Sequence, residues 1–195
     1  MFFKIQRNPK GNITYLVDQA EQLSQVGLEK PELEYLLQEF KQDNTIVSIN
    51  KYTHQLYFVK IERNADWKND EKIRKQGAKL CKLLNEHKQE SINIDNLSGH
   101  KKVAYLLAEG LALANYQFLK YKSDLKKVKH SLEDVFFNNH SLTVKELKEL
   151  EIIVQAVYQS RDLINEPLQY LTAEQLSKEI QQIGKEGGFR VQVLG

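Results

Sequence analysis

The apolar positions of this chain change period several times, and each change marks an element. Residues 12–17 (NITYLV) gather strand-forming side chains behind a turn at Pro9 and Gly11, and predict a short strand. Asp18 stands where it can cap a helix carrying Ala20, Leu23 and Val26, which Gly27 ends. Pro31 at a helix start, then Leu33, Leu36, Leu37 and Phe40, predicts a second amphipathic helix. Residues 46–49 and 56–61 read as the arms of a hairpin turning at 50–53. Asp66 opens a helix to His87 with Ile73, Gly77, Leu80, Leu83 and Leu84 facing inward. A strand at 91–94, a cap at Ser98, a helix to about Tyr121 and a strand over 132–137 follow.

The strongest signal comes next. Thr143 and Glu146 form a capping box, in which each side chain satisfies a backbone N–H that the first helical turn leaves free. Leu147, Leu150, Val154 and Val157 recur at spacings of three and four, and Ile152, Ile153 and Ala156 widen the stripe. Asn165 and Pro167 end this helix, because proline disfavours the helical region for the residue before it. Thr172, answered by Gln175, caps a further helix over 173–183 that Gly184, Gly187 and Gly188 close. Phe189, Val191 and Val193 alternate as a final strand with no obvious partner in the chain. Strands and helices alternate throughout, so the fold class is α/β, with a mixed sheet flanked by helices.

Composition narrows the classes of function. The chain has 195 residues, 41% hydrophobic and 28% charged, an ordinary globular balance. Its 28 basic and 26 acidic residues leave a net charge of +2, too near neutral to point to a polyanionic partner. A single cysteine, Cys81, excludes a disulfide framework and suggests a reducing compartment. No apolar run approaches a signal peptide or a membrane span, so a cytoplasmic protein is expected. The helix after Ser98 mixes leucines with Ala104, Ala108, Gly110, Ala112 and Ala114. Helix propensity accounts for the alanines but not for Gly110, which predicts a close backbone approach there.

Candidate chemistry is sparse. Neither a dinucleotide fingerprint nor a phosphate-binding loop occurs, nor a zinc-protease helix or paired cysteines. Cys81 and His87 lie six apart, on different faces of one helix, and read as a core residue and a helix-end residue. His54, His100, His130 and His140 fall near element ends, where surface or capping roles are the default. Asp66, Asp70 and Glu71, and Glu146, Glu149 and Glu151, look like solvated helix charges. Lys120, Lys122, Lys126, Lys127 and Lys129 could contact phosphates, but read more simply as a solvated connection. Arg161, Asp162, Asn165 and Glu166 around Pro167 read as a structural polar cluster.

That last cluster carries a resemblance. Ser160 to Pro167 (SRDLINEP), Tyr170 to Leu176 (YLTAEQL) and Gly187 to Leu194 (GGFRVQVL) resemble the passage that joins the N-terminal and catalytic domains in the leucyl aminopeptidase family of two-metal exopeptidases. Ala173 stands where the family usually has proline. Ala108, Glu109, Gly110, Leu111, Leu113, Tyr116, Phe118, Tyr121, Lys122 and Ser123 also look like the last helical region of that N-terminal domain.

The resemblance implies an N-terminal, macro-domain-like α/β domain over residues 1–140, a connecting helix over 141–167, and the beginning of a catalytic domain over 168–195. Residues 1–140 would then fold without the tail. The family's motifs GKG, FDSGG and NTDAEGR are not found in the sequence. Ala108–Glu109–Gly110 is a decoy, flanked by Leu107 and Leu111 where the metal motif has Asp and Arg. No catalytic, metal or substrate-binding residue is therefore assigned. The expected role is that of a non-catalytic portion of an aminopeptidase whose full form removes N-terminal residues from peptides with two divalent metals, Zn or Mn. Its expected partners are its own catalytic domain and the other subunits of a hexamer, with neither nucleic acid nor membrane. The alternative is a stand-alone macro-like module for a nucleotide or nucleic acid.

Overall fold

The computed structural model describes residues 2–5, 11–62, 66–138 and 141–194. The Pro9 turn and His140 lie outside the described residues. The chain divides into two compact units, Met1–Val154 and Gln155–Gly195.

In chain order the first unit contains β1 (Phe2–Ile5), β2 (Ile13–Val17), a 3-10 turn (Ala20–Gln25), α1 (Lys30–Lys41), β3 (Ile46–Asn50) and β4 (Gln55–Lys60). It continues with α2 (Trp67–Glu86), β5 (Ser91–Asn96), α3 (Lys101–Ala114), the short α4 (Leu125–Val128) and β6 (Asp134–Phe137). The helix α5 (Val144–Asn165) runs across the boundary, and α6 (Ala173–Gly187) belongs to the second unit. The sheet order is β1-β6-β5-β2-β4-β3. All neighbours are parallel except the β3–β4 hairpin. The expected mixed sheet is present.

Register separates the sheet's two faces, because successive side chains along a strand point to opposite sides. Ile13, Tyr15 and Val17 share a face with Leu56, Phe58, Val47 and Ile49. There Leu36 and Phe40 of α1 and Leu23 of the 3-10 turn complete a buried cluster. Thr14 and Leu16 share the other face with Tyr57, Val59, Ile94 and Phe137, all fully buried. Helices α2 and α3 supply Leu80, Leu84, Leu107 and Leu111 to the core, also without exposure.

The close approach signalled by Gly110 is between α3 and α2. A β-carbon at Gly110 would stand 2.0 Å from the Arg74 carbonyl oxygen, and one at Gly77 would stand 2.2 Å from that of Leu107. Each helix thus presents a glycine to the other's backbone, and Arg74 Nε donates to Glu109 Oε2 at 2.6 Å across the same pair.

Several boundaries differ from the sequence reading. The segment after Asp18 is one 3-10 turn, in which Gln22 Nε2 donates to Asp18 Oδ1 at 2.6 Å. Helix α3 starts after His100, while Ser98 binds Asn96 Oδ1 at 2.6 Å; it stops at Ala114, well before Tyr121. Asn115 explains the early stop: its Nδ2 donates to the Leu132 carbonyl at 2.9 Å, committing the chain to a turn towards β6. Helix α6 runs through Gly184 to Gly187, and Gly188, at φ +74°, makes the left-handed cap. Residues 189–194 form no strand, because a strand requires a hydrogen-bonded neighbour. Phe189 and Val191 instead fold back against Gly184. The edge strand β1 was not anticipated; four residues are too few to show a period.

Candidate functional site

Polar side chains of the described residues gather at three places in the first unit. At the base of β6, Asn85 Oδ1 accepts from Leu132 N at 3.1 Å and from Ser131 Oγ at 3.4 Å. Its Nδ2 donates to Asn115 Oδ1 at 3.1 Å and to the Cys81 carbonyl at 2.9 Å. His130 Nδ1 lies 3.0 Å from Asn115 Oδ1. A cavity of about 460 Å³ opens beside Cys81, Asn85, Glu86 and His130. A Cys–His pair near a cavity invites a nucleophile reading, but Cys81 is 1% exposed and burial pushes its thiol up to about 12. The thiolate that nucleophilic chemistry needs is absent at neutral pH. The cluster fastens the entry of β6 to the ends of α2 and α3.

The second place lies under the end of α2. Tyr57, fully buried, donates to Gln55 Oε1 at 2.5 Å and meets His87 Nδ1 at 2.9 Å. Burial pushes its phenol up to about 12. Asn12 links the same end of the sheet, accepting from Gln55 N at 2.7 Å and bonding Gln89. These contacts replace water around groups that the sheet covers, which is the usual requirement for buried polar atoms.

The third lies at the C-terminal ends of β2 and β4. A cavity of about 340 Å³ is lined there by Asp18, Glu62, Asp70, His100 and Lys102 over an aliphatic floor. Lys102 Nζ pairs with Asp70 Oδ2 at 2.7 Å, and Lys72 with Glu62 at 2.9 Å.

The remaining sequence candidates are dispersed. His54 Nδ1 meets Thr53 Oγ1 at 3.0 Å in the β3–β4 turn. Lys127 pairs with Asp124 and Lys129 with Glu133 within the Lys-rich stretch, which is exposed. Asp66 and Glu146 act as caps: Asp66 Oδ1 accepts from Asn69 N at 2.7 Å, and Glu146 Oε2 from Thr143 N at 2.7 Å. The Thr143 hydroxyl and amide hold the Glu146 carboxyl below its ordinary range. Glu151 is more than a solvated charge, since its Oε1 accepts from Phe3 N on β1 at 3.2 Å.

In the second unit, Asn165 Nδ2 donates to the Arg161 carbonyl at 2.8 Å, and Tyr170 N to the Pro167 carbonyl at 2.8 Å, closing the turn after α5. Among the described residues no three or more His, Cys, Asp or Glu side chains could together hold a metal ion. These residues therefore do not fit a two-metal centre. Asn85 and Asn115 were missed in the sequence. Their signal was the low helix propensity of asparagine on an otherwise apolar helix flank.

No family model matches the chain. Curated relatives do. A probable cytosol aminopeptidase of Clostridium perfringens is 31% identical over 135 residues, covering 64% of this chain and 27% of the relative. One of Rickettsia typhi is 31% identical over 140 residues, covering 68% and 28%. The chain thus spans about a quarter of the length of the curated relatives it matches. Among solved structures, a mutant tomato leucine aminopeptidase superposes with a TM-score of 0.71 at 14% identity, over 96% of this chain and 43% of that one. The bottromycin maturation enzyme BotP in complex with Mn gives 0.66 at 14%, over 91% and 36%. The mixed six-stranded sheet with its flanking helices is thus a fold shared with leucine aminopeptidase. Sequence and fold agree, and the chain belongs to the leucyl aminopeptidase family.

Proposed function

We propose that this chain is the N-terminal, non-catalytic portion of a leucyl-aminopeptidase-type exopeptidase. The observation that carries the proposal is the partial match itself: aminopeptidases align with up to 68% of this chain using 28% of their own length. In this reading residues 1–140 are the N-terminal, macro-like domain, 141–167 the connecting helix and 168–195 the beginning of the catalytic domain. Two divalent metals, Zn or Mn, held by the rest of the protein, would supply an activated water and polarise the scissile carbonyl. The residues of this chain support that domain and a hexameric assembly in the cytoplasm. The uncovered apolar residues of the second unit favour such a role, with Leu168 89%, Ile164 81% and Leu194 83% exposed. No observation among the described residues favours a stand-alone nucleotide or nucleic-acid module.

The test is hydrolysis of leucine amide with added Mn²⁺ or Zn²⁺, run on this chain and on a version continued through the downstream reading frame. Activity confined to the longer protein is expected. Activity in the 195-residue chain, or in neither, would overturn the reading.

A further inference from the structure

The cavity at the C-terminal ends of β2 and β4 is unused by the proposed scaffolding role. It adjoins the point where the winding of the sheet reverses, between β2 and β5, since it takes Asp18 from beyond β2 and His100 and Lys102 from beyond β5. From β2 the chain proceeds towards β4 on one side, and from β5 towards β6 on the other. In open α/β sheets such a reversal leaves a crevice beyond the strand ends, where small ligands bind. Here the crevice has a floor of Ile61, Ile73, Val103 and Leu106, closed below by the core and open above to polar side chains. Its volume of about 340 Å³ is at the small end of ligand sites, which run from about 300 to 1,000 Å³.

The polar rim decides what charge the ligand carries. Asp70 and Lys102 stand on it as an ion pair at 2.7 Å, while the Glu62 carboxylate is taken by Lys72. Asp18 adds a third carboxylate, already accepting from Gln22. A phosphate or other anion would meet three carboxylates, and a simple cation would compete with two lysines. A molecule carrying both charges a few ångströms apart can lie antiparallel to the Asp70–Lys102 pair, its ammonium against Asp70 and its carboxylate against Lys102. The first turn of α3, which begins beside Lys102 with no side-chain cap and no acidic residue, adds N–H groups on the carboxylate side. We infer that this cavity binds a free α-amino acid with an aliphatic side chain, the side chain resting on Ile61, Ile73, Val103 and Leu106. The site stands independently of the aminopeptidase reading, since every residue in it belongs to this chain.

The test is amide NMR of the 195-residue chain titrated with L-leucine, 4-methylpentanoate, isopentylamine, glycine and inorganic phosphate. Leucine is expected to shift the resonances of Ile61, Ile73, Val103 and Leu106 saturably. The acid lacking the ammonium and the amine lacking the carboxylate should bind at least about tenfold more weakly, each having lost one charged contact. Asp70→Asn and Lys102→Gln should each weaken leucine about tenfold, with the dispersion of the same spectra reporting that the variants remain folded. No saturable shift with leucine would overturn the inference, as would equal binding of all the organic probes or a response to phosphate alone. Inactivity of the lengthened protein towards leucine amide would leave these shifts unchanged, so the two readings fail separately.

Discussion

Helices α2 and α3 of the first unit and helix α6 of the second all use glycine for close packing, but against different things. Between α2 and α3 the neighbours of the absent β-carbons are backbone atoms, the carbonyls of Leu107 and Arg74. On α6 a β-carbon at Gly187 would meet only ring carbons of Phe189, and one at Gly184 would stand 2.5 Å from the Val191 side chain and 3.0 Å from the Phe189 carbonyl oxygen. A side chain can turn away; a helix backbone in a packed core cannot. The first arrangement belongs to a finished interface. The second belongs to a segment that exposes Phe189 and Val193, at 56% and 50%, and that pairs with no strand among the described residues.

The largest test of that contrast is substitution to alanine. Gly77→Ala and Gly110→Ala should each cost about 3 kcal/mol or more, because the helices must separate and the leucines between them lose contact. Gly187→Ala should leave the main unfolding transition in place, since only the Phe189 ring has to move. Chemical denaturation of the three variants measures this. Comparable losses at Gly187 and Gly110 would erase the distinction between the two packings.

Gly110 also shows how much was legible in the sequence. A glycine inside a strongly helical, alanine-rich segment contradicts local propensity, so its tertiary cause could be inferred without coordinates. Gly77 was read only as one of an inward-facing stripe, and its partner across the interface was invisible. The capping pair Thr143–Glu146 and the helix α5 that follows it were readable because both signals are local. The role of Asn115 was not, since what stops α3 is a hydrogen bond to Leu132, seventeen residues away. The cavity rim was hidden for the same reason: Asp70 and Lys102 lie on different helices, and no spacing along the chain announces their pairing. The strand expected at 189–194 has the right pattern and lacks the neighbour that would make it one.

A second contrast sets the buried acids of the first unit against the largely exposed second. Cys81 and Tyr57 hold their protons up to about 12, above their ordinary values of 9.0 and 10.0, because burial penalises the charged forms. In the unfolded chain they deprotonate at those ordinary values, so at alkaline pH the unfolded state binds fewer protons than the folded one. Stability is therefore expected to be full below about pH 9 and to fall as pH rises towards about 12. Denaturation midpoints taken across that window measure the loss. Cys81 should also resist Ellman's reagent at pH 8 until the first unit unfolds. Rapid labelling of the native chain would mean that the base of β6 opens more readily than its hydrogen bonds imply.

The smallest effect compares one capping residue in two settings. Thr143 and Thr172 both offer a hydroxyl to the third amide of the helix that follows, to Glu146 N at 3.2 Å and to Gln175 N at 3.3 Å. By local chemistry alone, either change to alanine should cost about 1 kcal/mol. They differ in what the helix is tied to. Helix α5 buries Leu147, Leu150 and Val154 in the first unit, and its Glu151 holds the amide of Phe3, so Thr143→Ala should lower the stability of the main transition by that whole amount. Helix α6 buries only Gly184, so Thr172→Ala should fray the start of α6 and leave the main transition where it was. Hydrogen exchange at Gln175 and Leu176 reads the local effect, and denaturant unfolding reads the global one. A full loss of global stability from Thr172→Ala would mean that α6 unfolds together with the first unit, and the separation of the two regions would have to be abandoned.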